Sequence, residues 1–410
     1  MTEQEERAAT SPHILRRMNA ETVLRYALAR GVFNASDVIK STGLTRSTVI
    51  GLCDDLIELG WIGRLDDARL AGEYSKGRPA RRYELHSRSG LVVGIDAGQH
   101  SVTVVVADLR GAVLSRINEA FTGDGLDPVH RLEVTEAAVA QALAGANATR
   151  EAVQTTVIGL PAPIDERGHS PVGDDGYWTR MNPEFATAFA DHGRVIVEND
   201  ANLAAIAEQA IGAGSGTTSF AALLAGERFG AGLIVDGSLL HGRHGGAGEM
   251  RALDLVEGVG SAHGLAATAR EWAHDAQAAG TLPAVSPLAQ LSSNSITAED
   301  VFTAAAASDP TALDIVRRLG SRLARVCLVL ASLLDVERVI IVGAIAVAAG
   351  PVIDEARIVL DDFYPPVPEI VASTLGADAV VFGAIQRGLA LIRSSPLSFV
   401  PLASPERTSK

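Results

Sequence analysis

The sequence is short of cysteine and of aromatic side chains, and it has no long apolar run. Only Cys53 and Cys327 occur in 410 residues. Two thiols are too few for a disulfide framework or a cysteine-rich zinc site, and they fit a reducing cytoplasm. Aromatic residues make up 4% of a chain that is 47% hydrophobic. Its cores must therefore be filled by Ala, Val, Leu and Gly, which suits the close helix-on-sheet packing of an α/β protein. No apolar stretch reaches the ~18 residues of a membrane span. The opening MTEQEERAATSPHILRRMNAE is polar and lacks the apolar core of a secretion signal. The length predicts two or three domains.

Positive charge is scarce overall, and the net charge of −14 excludes nucleic-acid binding by the whole surface. The distribution is uneven. Residues 1–90 carry 14 Lys and Arg against 12 Asp and Glu, a net of +2, leaving 21 against 37 in the rest, a net of −16. Any affinity for phosphate must come from the N-terminal part.

In that part the apolar spacing predicts a helix over Ala20 to Arg30, stopped by Gly31. Asn34 or Ser36 would cap a second helix, Ala35 to Ser41. After the turn Thr42-Gly43-Leu44, Thr45 would cap a third, Arg46 to Leu59, with Val49, Leu52, Leu56 and Leu59 inward. Two helices around a short glycine turn form a helix-turn-helix. The first residues of its second helix, Arg46, Ser47 and Thr48, would face base edges, with Thr45 near a phosphate. Two short strands around Lys76-Gly77-Arg78-Pro79 would form a wing whose Lys76, Arg78, Arg81 and Arg82 contact phosphate or a minor groove. The alternative is a small three-helix domain with a solvated basic loop.

From Leu91 strands and helices alternate. LVVGIDAG, SVTVVVAD and AVLSRINE read as three successive strands. A helix from about Pro128 to Ala144 and the strand TTVIGLPAPID follow, then RVIVEND, a helix from Ala201 to Ile211, the strands SFAALLAG and GAGLIVDG, and later RVIIVGAIA. Gln277 to Ser295 reads as a surface insertion.

GIDAG at 94–98, GLPAPID at 159–165, ENDANLAA at 198–205, GERFGAGLIVDGSLLHGRHGGAGE at 226–249 and IVGAIA at 341–346 stand in one order behind a head containing KGRPA. This combination resembles the ROK family of repressors and sugar kinases over nearly the whole chain. The resemblance implies an α/β chain in which a winged helix-turn-helix domain over 1–88 precedes a two-lobed actin-like body. The first lobe would cover 89–203 with a helix at about 379–394 returning to it. The second lobe, over 204–378, would supply oligomer contacts, and 395–410 would be a flexible tail.

The same resemblance sorts the candidate site residues. The family's kinases carry Asp-x-Gly-x-Thr in a first phosphate loop; here Asp96 and Gly98 remain but His100 stands in place of the threonine. In the second phosphate loop, residues 226–232, Glu227 sets a carboxylate where phosphate would sit, and Phe229 replaces a glycine. Like charges repel at that range, so kinase activity is not expected. On the sugar side, Asp200 occupies the position of the general base, with Asn199 beside it. Both also suit plain hydrogen bonding to vicinal hydroxyls, or the capping of the helix at Ala201. Glu249 and His244 belong to the His-Gly stretch 241–249, and Gly159 and Pro161 would wall the pocket. The family's structural zinc is not expected. Its thiolate positions are Glu257, Val259 and Gly264, and the sugar-contacting Glu of that pattern is Ala266.

The expected protein is a cytoplasmic homodimer or homotetramer that binds a double-stranded DNA operator and a sugar or sugar-derivative effector, without a cofactor. A sugar kinase with an accessory head, and a constitutive DNA binder with a dead pocket, are the alternatives.

Overall fold

Capping residues set the helices of the head. The computed structural model describes residues 12–65, 81–123, 125–173, 176–292, 295–363 and 367–402. Helix α1 spans Pro12–Arg30 and begins earlier than Ala20. Its added turns expose Ile14, Leu15 and Met18, so they carry no inward periodicity to read, and Arg16 fastens them to Asp55. Helix α2, Ala35–Thr42, starts in a capping box in which Asn34 accepts from the Asp37 N–H and the Asp37 carboxylate accepts from the Asn34 N–H. Asn34 is thus the cap, not Ser36. Helix α3, Arg46–Glu58, is capped by Thr45. Strand β1, Val32–Asn34, lies on β3, Arg82–Leu85, which pairs antiparallel with β2, Ile62–Leu65. Lys76 and Arg78, between β2 and β3, lie outside the described residues.

The body repeats one plan twice. Its first sheet contains β4 (Leu91–Ala97), β5 (Ser101–Asp108), β6 (Val113–Ala120), β7 (Val153–Leu160) and β8 (Arg194–Asn199), in the order β6-β5-β4-β7-β8. The second contains β9 (Phe220–Leu224), β10 (Gly230–Val235), β11 (Ser238–Leu239), β12 (Arg338–Val342) and β13 (Glu369–Ala372), in the order β11-β10-β9-β12-β13. In each, the first three strands are antiparallel and the last two run parallel to the first. Helix α4, Pro128–Gly145, covers the first sheet, and its buried Ala138, Val139 and Ala142 join the β4 and β5 valines in one core. All eight residues of β7 are buried, as expected of a parallel strand covered on both faces.

Two buried helices bind the plan together. Helix α7, Asp200–Ile211, packs on α12, Ala379–Ser394. The contact is so close that a Cβ on Gly383 would lie 1.8 Å from the Leu203 carbonyl oxygen. The other face of α12 meets the head: Ile385, Leu389 and Ile392 share one apolar cluster with Val23, Leu24 and Leu28 of α1. Arg25 of α1 donates to the carbonyls of Arg393 and Ser394 at the end of α12, at 2.9 and 3.0 Å.

One expectation changes and another is refined. The segment from Gln277 to Ser295 lies at the surface, with Thr281 and Val285 exposed, but it is anchored by buried Ser286 and Leu288 and by Gln277, which donates to the Leu288 and Leu291 carbonyls. The stretch after Ser394 is packed as far as Leu402. Phe399 is buried under Arg194, and the Leu402 N–H donates to Ser89. Residues 403–410 lie outside the described residues. No described helix is long and apolar enough to cross a membrane.

Candidate functional site

The two sheets present the carboxyl ends of their parallel strands to a common cleft, where ligands of open α/β sheets bind. A cavity of about 710 Å³ lies there, lined by Gly98 and His100 after β4, Pro161 after β7, Asn199 and Asp200 at the β8–α7 junction, Gly226–Gly230 after β9, and Val342–Ile345 at the end of β12. Glu249, Tyr177, Trp178 and Arg251 complete its polar side.

Asn199 and Asp200 are placed by the start of α7. The Asn199 side-chain oxygen caps the helix by accepting from the Asn202 N–H at 3.1 Å, and its side-chain Nδ2 donates to the Ala162 carbonyl at 3.1 Å. It thereby ties the β7 exit loop to α7. One Asp200 oxygen accepts from the Ala201 N–H at 2.8 Å. Capping and facing the cavity therefore coexist. Glu249 arrives after Gly248, whose φ of +84° and near contact with the Ala231 carbonyl leave no room for a Cβ.

Three carboxyls converge here. Loss of water pushes Asp200 well above the usual carboxylate range, reinforced by Asp96 and Glu249. Asp96 is pushed to about 7 by burial and by Asp378, against the pull of Arg131. Burial also raises Glu249, opposed by Arg228 and Arg251. A protonated carboxyl donates as well as accepts, which matches the hydroxyls of a polyol.

Several expected positions separate. Pro161, Asn199, Asp200 and Glu249 line the cavity, and so do His100, Glu227 and Ala266. Gly159 does not. It is buried inside β7, where a Cβ would strike Val380 and Leu203 side chains at 2.8 and 2.9 Å, so its role is to let α7 and α12 approach the sheet. His244 is not among the lining residues and is exposed; of its stretch, only Glu249 lines the cavity. The Glu227 carboxylate is gripped by both Arg270 nitrogens at 2.8 and 2.7 Å, and this pairing holds it below its ordinary range.

Three residues outside the candidate set support the site. Buried Glu198 accepts from the Asn199 N–H and the Asn202 amide, both at 2.9 Å, and meets His241 Nε2 at 3.0 Å. Burial alone would raise Glu198, but the His241 and Asn202 bonds outweigh it and hold the carboxylate low. The same bond raises His241. Glu198 opens the quoted ENDANLAA stretch and His241 opens the His-Gly stretch, so both were within view. Arg131 was not. It is fully buried on α4, donates to the carbonyls of Ala97, Gly98 and Gly125 at 2.8–2.9 Å and lies 4.5 Å from the Phe121 ring. It braces the first loop from below.

The stretch from Glu257 to Ala266 does not fit a zinc ion. The buried Arg322 guanidinium sits against it, donating to the carbonyls of Val259 and Ser261 at 2.7 and 2.6 Å and to Thr268 Oγ1 at 2.8 Å. A cation already serves those oxygens, and no group of three or more His, Cys, Asp or Glu side chains among the described residues could hold a metal.

On the head, Thr45, Arg46 and Ser47 are exposed at the start of α3 and Thr48 is half-buried. Thr45 Oγ1 lies 3.1 Å from Ser47 Oγ and 2.9 Å from Thr48 Oγ1, so three hydroxyls form one cluster beside Arg46. Further along α3, Asp54 and Asp55 are paired with Arg64 and Arg16. Arg81 and Arg82 are exposed where the chain enters β3.

A model of the ROK family matches residues 92–388. The chain belongs to the ROK family. Among curated relatives, the chain is 31% identical over 208 residues to a glucokinase of Halalkalibacterium halodurans, an alignment covering 46% of this chain and 62% of the relative. It is 24% identical over 241 residues to the xylose repressor of Caldicellulosiruptor bescii, covering 58% of each. The chain thus spans about three fifths of the length of these two relatives. Among solved structures, a ROK family transcriptional regulator homologous to the E. coli MLC protein superposes with a TM-score of 0.69 at 23% identity, covering 93% of this chain and 99% of that one. At that identity the likeness concerns the fold. The ROK body is therefore an α/β fold of two related lobes. Its relatives include both regulators and sugar kinases.

Proposed function

We propose that this ROK protein is a transcription regulator whose winged helix-turn-helix head binds a DNA operator, and whose interlobe cavity binds a carbohydrate effector. The observation that carries this reading is the joining, through α12, of a polyol-suited carboxyl cluster to a head with an exposed Arg46. The domain division at about 88, a cytoplasmic location and assembly into a homodimer or homotetramer belong to the same proposal. Closure of the lobes on an effector would shift α7, which carries Asp200. Helix α12 packs on α7, and its end is held by Arg25 of the head. A ligand that prefers one lobe spacing therefore biases the head.

Arg46→Ala is expected to weaken specific operator binding by ~1–3 kcal/mol, the value of a bidentate base contact. Loss of Arg78 should weaken binding to all sequences and lower the salt dependence. Electrophoretic or anisotropy titrations over a salt series would measure both effects. Unchanged operator affinity in both variants would remove the head from the mechanism.

His100 and Glu227 argue against sugar phosphorylation. The Arg270 pairing reduces the repulsion from Glu227, yet it also occupies the guanidinium that could have held a phosphate. With ATP and a panel of hexoses, no steady turnover is expected. Turnover that disappears in Asp200→Asn would establish the kinase reading instead.

A further inference from the structure

The cavity has two unlike ends, and a free sugar accounts for only one. Asn199, Asp200 and Glu249 form the polar end. Beyond the β9 loop the wall is mostly apolar, formed by Leu224, Phe302, Val342, Ile345, Val347 and Ala348, with Glu299 one turn before Phe302. Val347 is 85% exposed, so a bulky apolar side chain stands open at this end. The volume of about 710 Å³ lies well inside the ~300–1,000 Å³ range of sites that enclose drug-sized ligands.

We propose that the effector is an uncharged glycoside whose sugar ring takes the polar end and whose flat apolar aglycone takes the apolar end. This rests on the carbohydrate reading of the same cavity. Continuity of the two ends within one cavity calls for one molecule with both characters. Charge decides what joins them. The lining carries the carboxyls of Asp200, Glu227, Glu249 and Glu299, against the guanidiniums of Arg228 and Arg251. Glu227 is already paired with Arg270. The burial that keeps Asp200 and Glu249 from their charged forms would disfavour the negative charge of a phosphate or a triphosphate in the same way. A neutral glycosidic link meets no such penalty, and the aglycone gains by leaving water.

Calorimetric titration of the full chain with matched methyl and phenyl β-D-glucopyranosides and β-D-xylopyranosides tests this. In at least one pair the phenyl compound is expected to bind about tenfold or more tightly than the methyl compound, as burial of a ring-sized apolar surface requires. Val347→Asp and Val347→Lys, at an exposed position that folding tolerates, should each abolish that gap. Equal affinity for the two members of each pair, or a gap that survives both variants, would refute the aglycone site and leave the carbohydrate reading standing. Binding of AMPPNP in preference to every glycoside would also refute it. If no glycoside binds at all, the carbohydrate reading itself fails, and this inference with it.

Discussion

Asp200→Asn is expected to abolish the response to effector, leave operator binding intact, and raise the thermal stability of the effector-free protein. The amide keeps the oxygen that accepts from the Ala201 N–H and has nearly the same shape. What it removes is a carboxyl that burial, Asp96 and Glu249 all push away from its charged form. The folded values of Asp200 and Asp96 are raised, Asp96 from 3.8 to about 7. Below the unfolded value both states are protonated, and the folded protein bears no cost. As pH rises from about 4 through about 7, the folded state holds protons that the unfolded state has released, so stability declines across that window. The variant should show a shallower decline. Unfolding midpoints from pH 4 to pH 8, with and without effector, would measure it. A variant that is less stable than the parent at pH 8, or that still responds to effector, would show that Asp200 has a structural role and nothing more.

Gly383→Val is expected to destabilise the protein by about 3 kcal/mol or more, the upper end of overpacking costs. In an exposed helix, replacing glycine with alanine would gain about 1 kcal/mol of helix propensity. Here any Cβ would approach the Leu203 carbonyl oxygen to 1.8 Å. The obstacle is the backbone of α7, so no side chain can swing away to relieve it. Relief requires α7 and α12 to part, which opens the clusters on both faces of α12. Urea unfolding followed by circular dichroism measures the loss. A midpoint within experimental error of the parent would mean that the helices are not in close contact at this point.

Much of the fold was legible because the strands of the body are continuous apolar runs bounded by glycine and aspartate turns, and because helices begin at recognisable caps such as Thr45 and Asn199. Asp200 and Glu249, both within quoted motifs, line the cavity. Gly159 and His244 misled because a motif gives proximity along the chain and not direction. Gly159 is used inward for packing, and His244 points to solvent from the middle of a turn. Arg131 and Arg322 gave no signal at all. Each lies on a long helix, and its partners include backbone carbonyls 33 and 34 residues away in Arg131's case and 61 and 63 residues away in Arg322's. Backbone oxygens carry no residue identity from which to anticipate such a contact.

The sequence by itself determined the order of elements, the division of charge between head and body, the family, and the lack of a thiolate set for zinc. These depend on local capping, strand periodicity and composition, which are written residue by residue. Only the tertiary structure decided that the two sheets share one topology, that Glu227 is neutralised by Arg270, that the cavity has an apolar end beside its carboxyl cluster, and that α12 touches both α7 and the head. Each of these joins residues far apart in the chain. Burial and charge then act through distance in space, and a sequence does not record such distances.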